Sequence, residues 1–75
     1  MERKSDKVRR LVAAGDYKEA LRIAKGFKLG ISEEDSDDMV RGFESMAFPR
    51  FYHSIGMDPS ALIQKGIETL KRLYG

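Results

Sequence analysis

The chain has 75 residues, no cysteine and a formal net charge of +2, with 41% apolar and 35% charged residues. This composition is too apolar for a disordered chain and too charged for a membrane protein, and the length allows one domain, over residues 1–75. The longest apolar run, Leu11 to Ala14, is far shorter than a membrane span. We therefore expect a single soluble domain with no membrane partner. The cytoplasm is the expected compartment, because no apolar targeting run follows Met1.

Two short helices joined by a tight turn are predicted at the start of the chain. The first spans residues 6–14, with Ser5 as its N-cap and Gly15 after its last turn. The second spans residues 17–27, and Asp16 with Glu19 forms a capping pair at its start. Each helix carries apolar residues at helical spacing on one side: Val8, Leu11, Val12, Ala20, Ile23, Ala24 and Phe27. The pattern indicates an N-terminal helical hairpin.

Three more helices are predicted after a connector over residues 26–31. Ser32 is the expected N-cap of the third, Pro49 begins a short fourth helix that Gly56 closes, and Asp58 with Pro59 begins a long last helix over 59–74. The residues expected to face inward are Met39, Val40, Phe43 and Met46, then Leu62, Ile63, Ile67, Leu70, Leu73 and Tyr74. No segment alternates as a strand does. The predicted fold is all-α: a compact bundle of four to five short helices with a long C-terminal helix.

Catalytic and metal sites find little support in the sequence. His53 is the single histidine, and no zinc-binding spacing surrounds it. Asp35 and Asp37 stand at the first and third positions of a calcium loop, but Val40 replaces its glycine and Met46 its last glutamate. The chain also lacks a phosphate-binding glycine loop and a thiol nucleophile. We expect no cofactor, no metal and no enzymatic activity.

Charge is unevenly distributed along the chain. Residues 1–28 carry nine Lys or Arg against four Asp or Glu, whereas residues 29–48 carry one against six. Such a chain either pairs its two ends within the fold or presents a basic face to an acidic partner. We favour internal pairing of the basic N-terminal face with the acidic segment 33–38, and both interpretations stay open.

Basic residues at helical spacing are predicted to form one face of the hairpin. They are Arg3, Lys7 and Arg10 on or near the first helix and Lys18, Arg22 and Lys25 on the second. Such a face can bind a nucleic-acid backbone or an acidic protein, although it is more often simply solvated. A helix-turn-helix is disfavoured, because the acidic third helix would have to enter the major groove. Nucleic-acid backbone binding is therefore the alternative function and not the preferred one.

The last third of the chain contains a series of proline, glycine, aromatic and apolar residues that resembles a known group of proteins. It consists of Pro49-Arg50-Phe51-Tyr52, then Gly56, Asp58-Pro59, Leu62-Ile63, Gly66-Ile67, Leu70 and the closing Tyr74-Gly75. In these residues, and in Ala20 to Ala24, the chain resembles a group of short uncharacterised proteins from bacterial phage and prophage regions. The resemblance implies a phage-related origin and no assigned activity. Physically, the two prolines start helices, Gly56 ends one, and Gly66 allows another helix to pack closely.

Arg50, Tyr52 and His53 have no such structural explanation. Polar and aromatic residues in a connecting segment are positioned for recognition, so these three form the candidate interaction surface. The favoured function is thus a small phage-related protein-interaction module without catalytic activity, bound to a protein partner that the sequence does not identify.

A homodimer is the remaining expectation. The last helix and the segment around Pro49 offer more apolar surface than one small core can bury, through Leu62, Ile63, Leu73, Tyr74, Phe48, Phe51 and Tyr52. Either a second copy covers this surface, or the short Pro49 helix folds back over it in the monomer. The sequence does not decide between these two arrangements.

Overall fold

The computed structural model describes residues 3–27 and 30–75. These residues form five helices and no strand: α1 (Lys4–Ala13), α2 (Tyr17–Ala24), α3 (Glu33–Ala47), α4 (Pro49–Ser54) and α5 (Pro59–Tyr74). The predicted all-α bundle, with its N-terminal hairpin and long C-terminal helix, is confirmed. Within the described ranges, no helix combines the length and the apolarity that crossing a membrane would need.

Three of the predicted N-caps are confirmed. Asp16, Ser32 and Asp58 cap α2, α3 and α5, and each side chain accepts a backbone N–H from the first turn of its helix, at 3.4, 3.1 and 3.0 Å respectively. Such bonds satisfy N–H groups that have no partner within the helix. The sequence therefore determines where these three helices begin.

The hairpin differs from the prediction at three boundaries. Ser5 is not an N-cap: α1 begins earlier, at Lys4, after Arg3, whose side chain makes no capping bond. The first helix also ends one residue early, and Gly15 follows in the left-handed conformation with φ +79°. The second helix ends at Ala24 instead of residue 27, because the N–H of Phe27 turns back onto the Ala24 carbonyl at 2.9 Å.

The main core lies where the hairpin packs against the start of α3 and the end of α5. Its buried side chains are Val8, Val12, Ala20, Leu21, Ala24, Met39 and Leu70. Phe43, Met46, Ile67, Leu73 and Tyr74 pack against this cluster and stay partly exposed. Leu70 is the member of the predicted α5 stripe that is fully buried, with an exposed fraction of 0%. It is accordingly the largest contribution of α5 to the core.

Helices α3 and α5 cross closely at two glycines. A Cβ atom built on Gly42 would lie 3.0 Å from the Cα of Gly66, and a Cβ on Gly66 would lie equally close to the Cα of Gly42. Real Cβ atoms rarely come this near to a backbone atom. The close approach expected at Gly66 is confirmed, and Gly42 is the partner that the sequence did not identify.

The bundle is elongated, with extents of 42 × 24 × 17 Å. In the described residues α4 contacts α3 and α5 but neither α1 nor α2. The hairpin lies at the other end of the α3–α5 pair, where the Phe27 and Tyr74 rings meet edge to face with centroids 5.9 Å apart. Surfaces on α4 and on the hairpin are therefore well separated.

Candidate interaction surfaces

The three predicted contact residues of α4 do not share one environment. Arg50 and His53 are exposed, whereas Tyr52 is buried, with 6% of its surface accessible. The Tyr52 hydroxyl donates a hydrogen bond of 2.6 Å to the Glu44 carboxylate of α3. Tyr52 therefore does not lie on the exposed surface predicted for it. Its position within the bundle gives it a structural role, which is to fasten α4 to α3.

Replacing Tyr52 with phenylalanine is expected to destabilise the fold by about 1.5 kcal/mol, since the variant loses a hydrogen bond to a charged acceptor. The bond to Glu44 raises the pKa of Tyr52, and burial raises that pKa further. The bond therefore stabilises the fold fully below the pKa of an unfolded tyrosine, about 10, and this contribution is lost as the pH rises through the folded value.

Urea denaturation of the wild type and Tyr52→Phe across neutral and alkaline pH measures this contribution. The difference in unfolding free energy between the two proteins should shrink as the solution becomes alkaline. A difference that stays constant to strongly alkaline pH would show that the hydroxyl bond does not hold α4 in place.

Three large apolar side chains are exposed on α4 and its two end residues. Phe48, Phe51 and Ile55 are 63%, 57% and 54% exposed. Phe51 lies within α4, and Phe48 and Ile55 are the residues directly before and after the helix. We call these three residues the α4 patch. Most of the Phe51 ring faces solvent, although the ring meets Tyr52 edge to face at a centroid distance of 5.3 Å.

Two further exposed side chains of α4 lie in a depression that none of the patch residues lines. Arg50 and His53 line a shallow depression of about 360 Å³ with Pro49, Ser54 and Pro59. The ion pairs of the described residues involve neither Arg50 nor His53. The sequence had marked Phe48 and Phe51 as surplus apolar surface, but it gave Ile55 only the role of a helix end. The three-four spacing from Phe48 is the signal that would have included it.

The residues of the predicted basic face of the hairpin have different surroundings. Lys7 and Arg22 line a groove of about 420 Å³ between α1 and α2, together with Lys4, Ile23, Gly26 and Phe27. We call it the hairpin groove. Lys25 is half-buried on another side, with its Nζ 5.4 Å from the centre of the Phe43 ring. Arg3, Arg10 and Lys18 are exposed but do not line the groove.

Lys4 is a groove residue that the sequence analysis missed. It lies one helical turn before Lys7, so its i, i+3 spacing to that residue was the available signal. The predicted face had been built from Arg3 and Arg10 instead. The position of α2 relative to α1 decides which side of α1 borders a groove, and that position depends on tertiary packing.

A carboxylate already lies on one groove cation. The Glu19 side chain accepts a hydrogen bond from Arg22 Nε at 2.9 Å and a second from its terminal nitrogen. The bond to Arg22 lowers the pKa of Glu19, against a smaller opposing effect of desolvation, and the nearby positive charge of Lys7 lowers it further. The predicted capping pair is therefore half formed: Glu19 binds Arg22, while the Asp16 N–H donates to the Leu11 carbonyl at 2.9 Å.

The acidic segment 33–38 finds its partner on α5. Asp35 forms an ion pair with Arg72, and Glu34, Asp35 and Asp38 share a depression with Lys65, Glu68 and Arg72. Two further ion pairs, Arg9 with Asp6 and Arg22 with Glu19, lie within α1 and α2. At Asp35 the expected pairing with the N-terminal basic face does not form, because packing places α5 beside α3.

Neither a search for metal-binding side chains nor a comparison with known proteins identifies another site in the described residues. Across residues 3–27 and 30–75, no three His, Asp or Glu side chains are grouped closely enough to hold a metal ion. Comparison of the chain with protein-family models, curated proteins and solved structures finds no match. The α4 patch and the hairpin groove are the candidate interaction surfaces of the protein.

Proposed function

We propose that the protein is a small protein-interaction module of phage origin, without catalytic activity, and that it docks through the α4 patch. The observation that carries this proposal is the exposure of Phe48, Phe51 and Ile55, each more than half accessible, within eight consecutive residues that form one short helix and its two end residues. Scattered apolar side chains on a surface need no explanation, whereas a contiguous group of large ones is typical of an interface.

The size of the domain strengthens this argument. A chain of 75 residues has little core to stabilise it. Two phenylalanines exposed to solvent add no hydrophobic stabilisation to the isolated domain. Phenylalanine contributes a large contact area once a partner covers it. The Tyr52 bond to Glu44 also holds α4 on the bundle, so the patch is presented on a fixed support.

The patch residues themselves suggest the chemistry of the partner surface. Phe48, Phe51 and Ile55 are all apolar, whereas Arg50 and His53 line a different depression of α4 that contains none of the three. An apolar pocket on the partner would bury the two phenylalanines, as the apolar centre of an interface does. We therefore propose a partner protein with an apolar groove.

Nucleic-acid backbone binding, the alternative function, has weaker support. Of the six basic residues proposed for it, Lys7 and Arg22 line the hairpin groove, and Lys25 packs on Phe43. A backbone binder gains affinity from many phosphate contacts made at once. The contact of Lys25 with Phe43 and the bond of Arg22 to Glu19 leave these two cations less available for phosphates.

A matched pair of double variants tests the α4 patch. Phe48→Ser with Phe51→Ser removes the exposed rings, and Lys18→Ser with Arg3→Ser changes two exposed residues at the opposite end of the bundle. Both variants should fold, because none of the four side chains is buried. In affinity capture from phage-infected bacterial cells, we expect the patch variant to retain at least about tenfold less of any specifically bound protein, since central aromatic residues dominate interface energetics.

Sedimentation equilibrium of the same proteins identifies the homodimer as a separate outcome. If wild type forms dimers that the Phe48→Ser, Phe51→Ser variant does not form, the patch is an interface and its partner is a second copy. If the wild type is monomeric and the two double variants capture the same proteins equally well, the α4 patch is not a docking surface and the proposal fails.

A further inference from the structure

The hairpin groove combines two kinds of surface in one concave site. Its walls carry Lys4, Lys7 and Arg22, while Ile23 and Phe27 provide apolar surface between them. Both apolar side chains are partly exposed and extend from the core that they contact. A site with this lining favours a ligand that carries negative charge on its outer side and an apolar group that can be inserted.

We propose that the hairpin groove binds an acidic segment of a partner protein, with one apolar side chain of that segment inserted between α1 and α2. Carboxylates of the segment pair with Lys4, Lys7 and Arg22, and the inserted side chain contacts Ile23 and Phe27. This site is separate from the α4 patch, since α4 contacts neither helix of the hairpin in the described residues. Binding at one surface can therefore be tested without the other.

Charge complementarity and groove chemistry favour an acidic peptide over a nucleic-acid strand. Phosphates would use the three cations but would leave the apolar surface of Ile23 uncovered. The ring of Phe27 is half-buried and meets Tyr74 edge to face, so it is a poor platform for the stacked bases that single-strand binders require. A peptide with an apolar side chain next to carboxylates can contact both the apolar and the basic residues of the groove.

Glu19 acts as an internal competitor for this site. Its carboxylate holds Arg22 through two hydrogen bonds in the unbound protein. An incoming carboxylate must share Arg22 with Glu19 or displace it. Removing the charge of Glu19 should therefore strengthen the binding of an acidic ligand, an effect opposite in sign to the loss of a groove cation.

Fluorescence anisotropy with defined peptides tests the proposal. The probe is a short labelled peptide in which glutamates flank a central leucine, and two control peptides replace either the glutamates with glutamine or the leucine with serine. Wild type should bind the probe at least about tenfold more tightly than either control, because both the charges and the apolar anchor contribute. Equal binding of the probe and a control would overturn the proposal.

Three variants locate the binding site. Lys4→Glu with Lys7→Glu should weaken binding of the probe by at least about tenfold, and Glu19→Gln should strengthen it by about threefold, the range of an exposed ion pair. Gly26→Leu should abolish binding, because a side chain at Gly26 grows into the groove. A Cβ there would meet only the Ile23 carbonyl at 3.6 Å, an ordinary contact, so the fold is expected to persist.

Lys18→Glu with Arg3→Glu is the matched control, because it makes the same change of net charge at two exposed residues that do not line the groove. If this control weakens binding as much as Lys4→Glu with Lys7→Glu, the attraction is non-specific and the groove assignment fails. A labelled single-stranded oligonucleotide that binds more tightly than the probe, with a steep loss of affinity as salt rises, would also overturn the peptide proposal in favour of nucleic acid.

Discussion

Replacing Leu70 with alanine is expected to lower the free energy of unfolding by about 2–5 kcal/mol. Leu70 is fully buried among α1, α2 and α3 residues, so truncation removes its contacts and leaves a cavity that the neighbouring helices cannot fill. A domain of this size has a total stability of roughly 4–11 kcal/mol. The variant should therefore unfold at much lower urea concentration and temperature than the wild type.

Leu62→Ala is the matched control for this prediction. It removes the same atoms from the same helix, but Leu62 is only half-buried and lies outside the core cluster. Circular dichroism during urea titration should show a clearly smaller loss of unfolding free energy for Leu62→Ala than for Leu70→Ala. Equal losses of unfolding free energy would mean that Leu70 is not at the centre of the core. Ile67→Ala should fall between the two, because Ile67 is half-buried but packs against the core cluster.

Helix existence and order could be predicted because the signals are local. Asp16, Ser32 and Asp58 cap their helices through bonds to N–H groups two or three residues away, and proline fixes the start of α4 and α5. Ser5 was misassigned for the same reason. A serine before an apolar stripe resembles a cap, but the helix continues one residue further back and leaves Ser5 inside it.

The pairings between helices could not be predicted in the same way, because they depend on how the elements pack. Asp35 binds Arg72, 37 residues away, and not the basic hairpin. Tyr52 reaches Glu44 across the junction of α3 and α4, which turned a predicted contact residue into a structural one. Periodicity identifies which side of a helix is apolar, but it does not identify the helix that this side meets.

For the candidate surfaces as well, local features could be predicted from the sequence, whereas features that depend on packing could not. Phe48 and Phe51 could be recognised as surplus apolar residues, since neither fits the stripe of a neighbouring helix, and the structure places both in solvent. The hairpin groove could not be recognised. It exists because α2 ends at Ala24 and the chain then turns at Gly26, which leaves an opening beside α1. Helical spacing alone had extended α2 through this turn.

Gly66→Leu is expected to destabilise the fold by at least about 3 kcal/mol and to separate α3 from α5. Even a methyl group at Gly66 would lie 3.0 Å from the Gly42 Cα and 3.1 Å from the Asp38 carbonyl oxygen. Both are backbone atoms, so they cannot move aside as a flexible side chain does. For alanine, a gain in helix propensity of about 1 kcal/mol offsets part of this clash, whereas leucine adds three more carbon atoms at the point of closest approach.

Gly26→Leu provides the matched control, because it makes the same substitution at a glycine with open surroundings, where the nearest contact of a Cβ is 3.6 Å. Thermal melts should show Gly26→Leu close to the wild type and Gly66→Leu strongly destabilised or unfolded. Gly42→Leu should behave like Gly66→Leu, since the two glycines form one contact from opposite sides. If Gly66→Leu has the same melting temperature as the wild type, α3 and α5 are not in close contact at Gly42 and Gly66. The close packing of these two helices would then not fix the separation of the α4 patch from the hairpin groove.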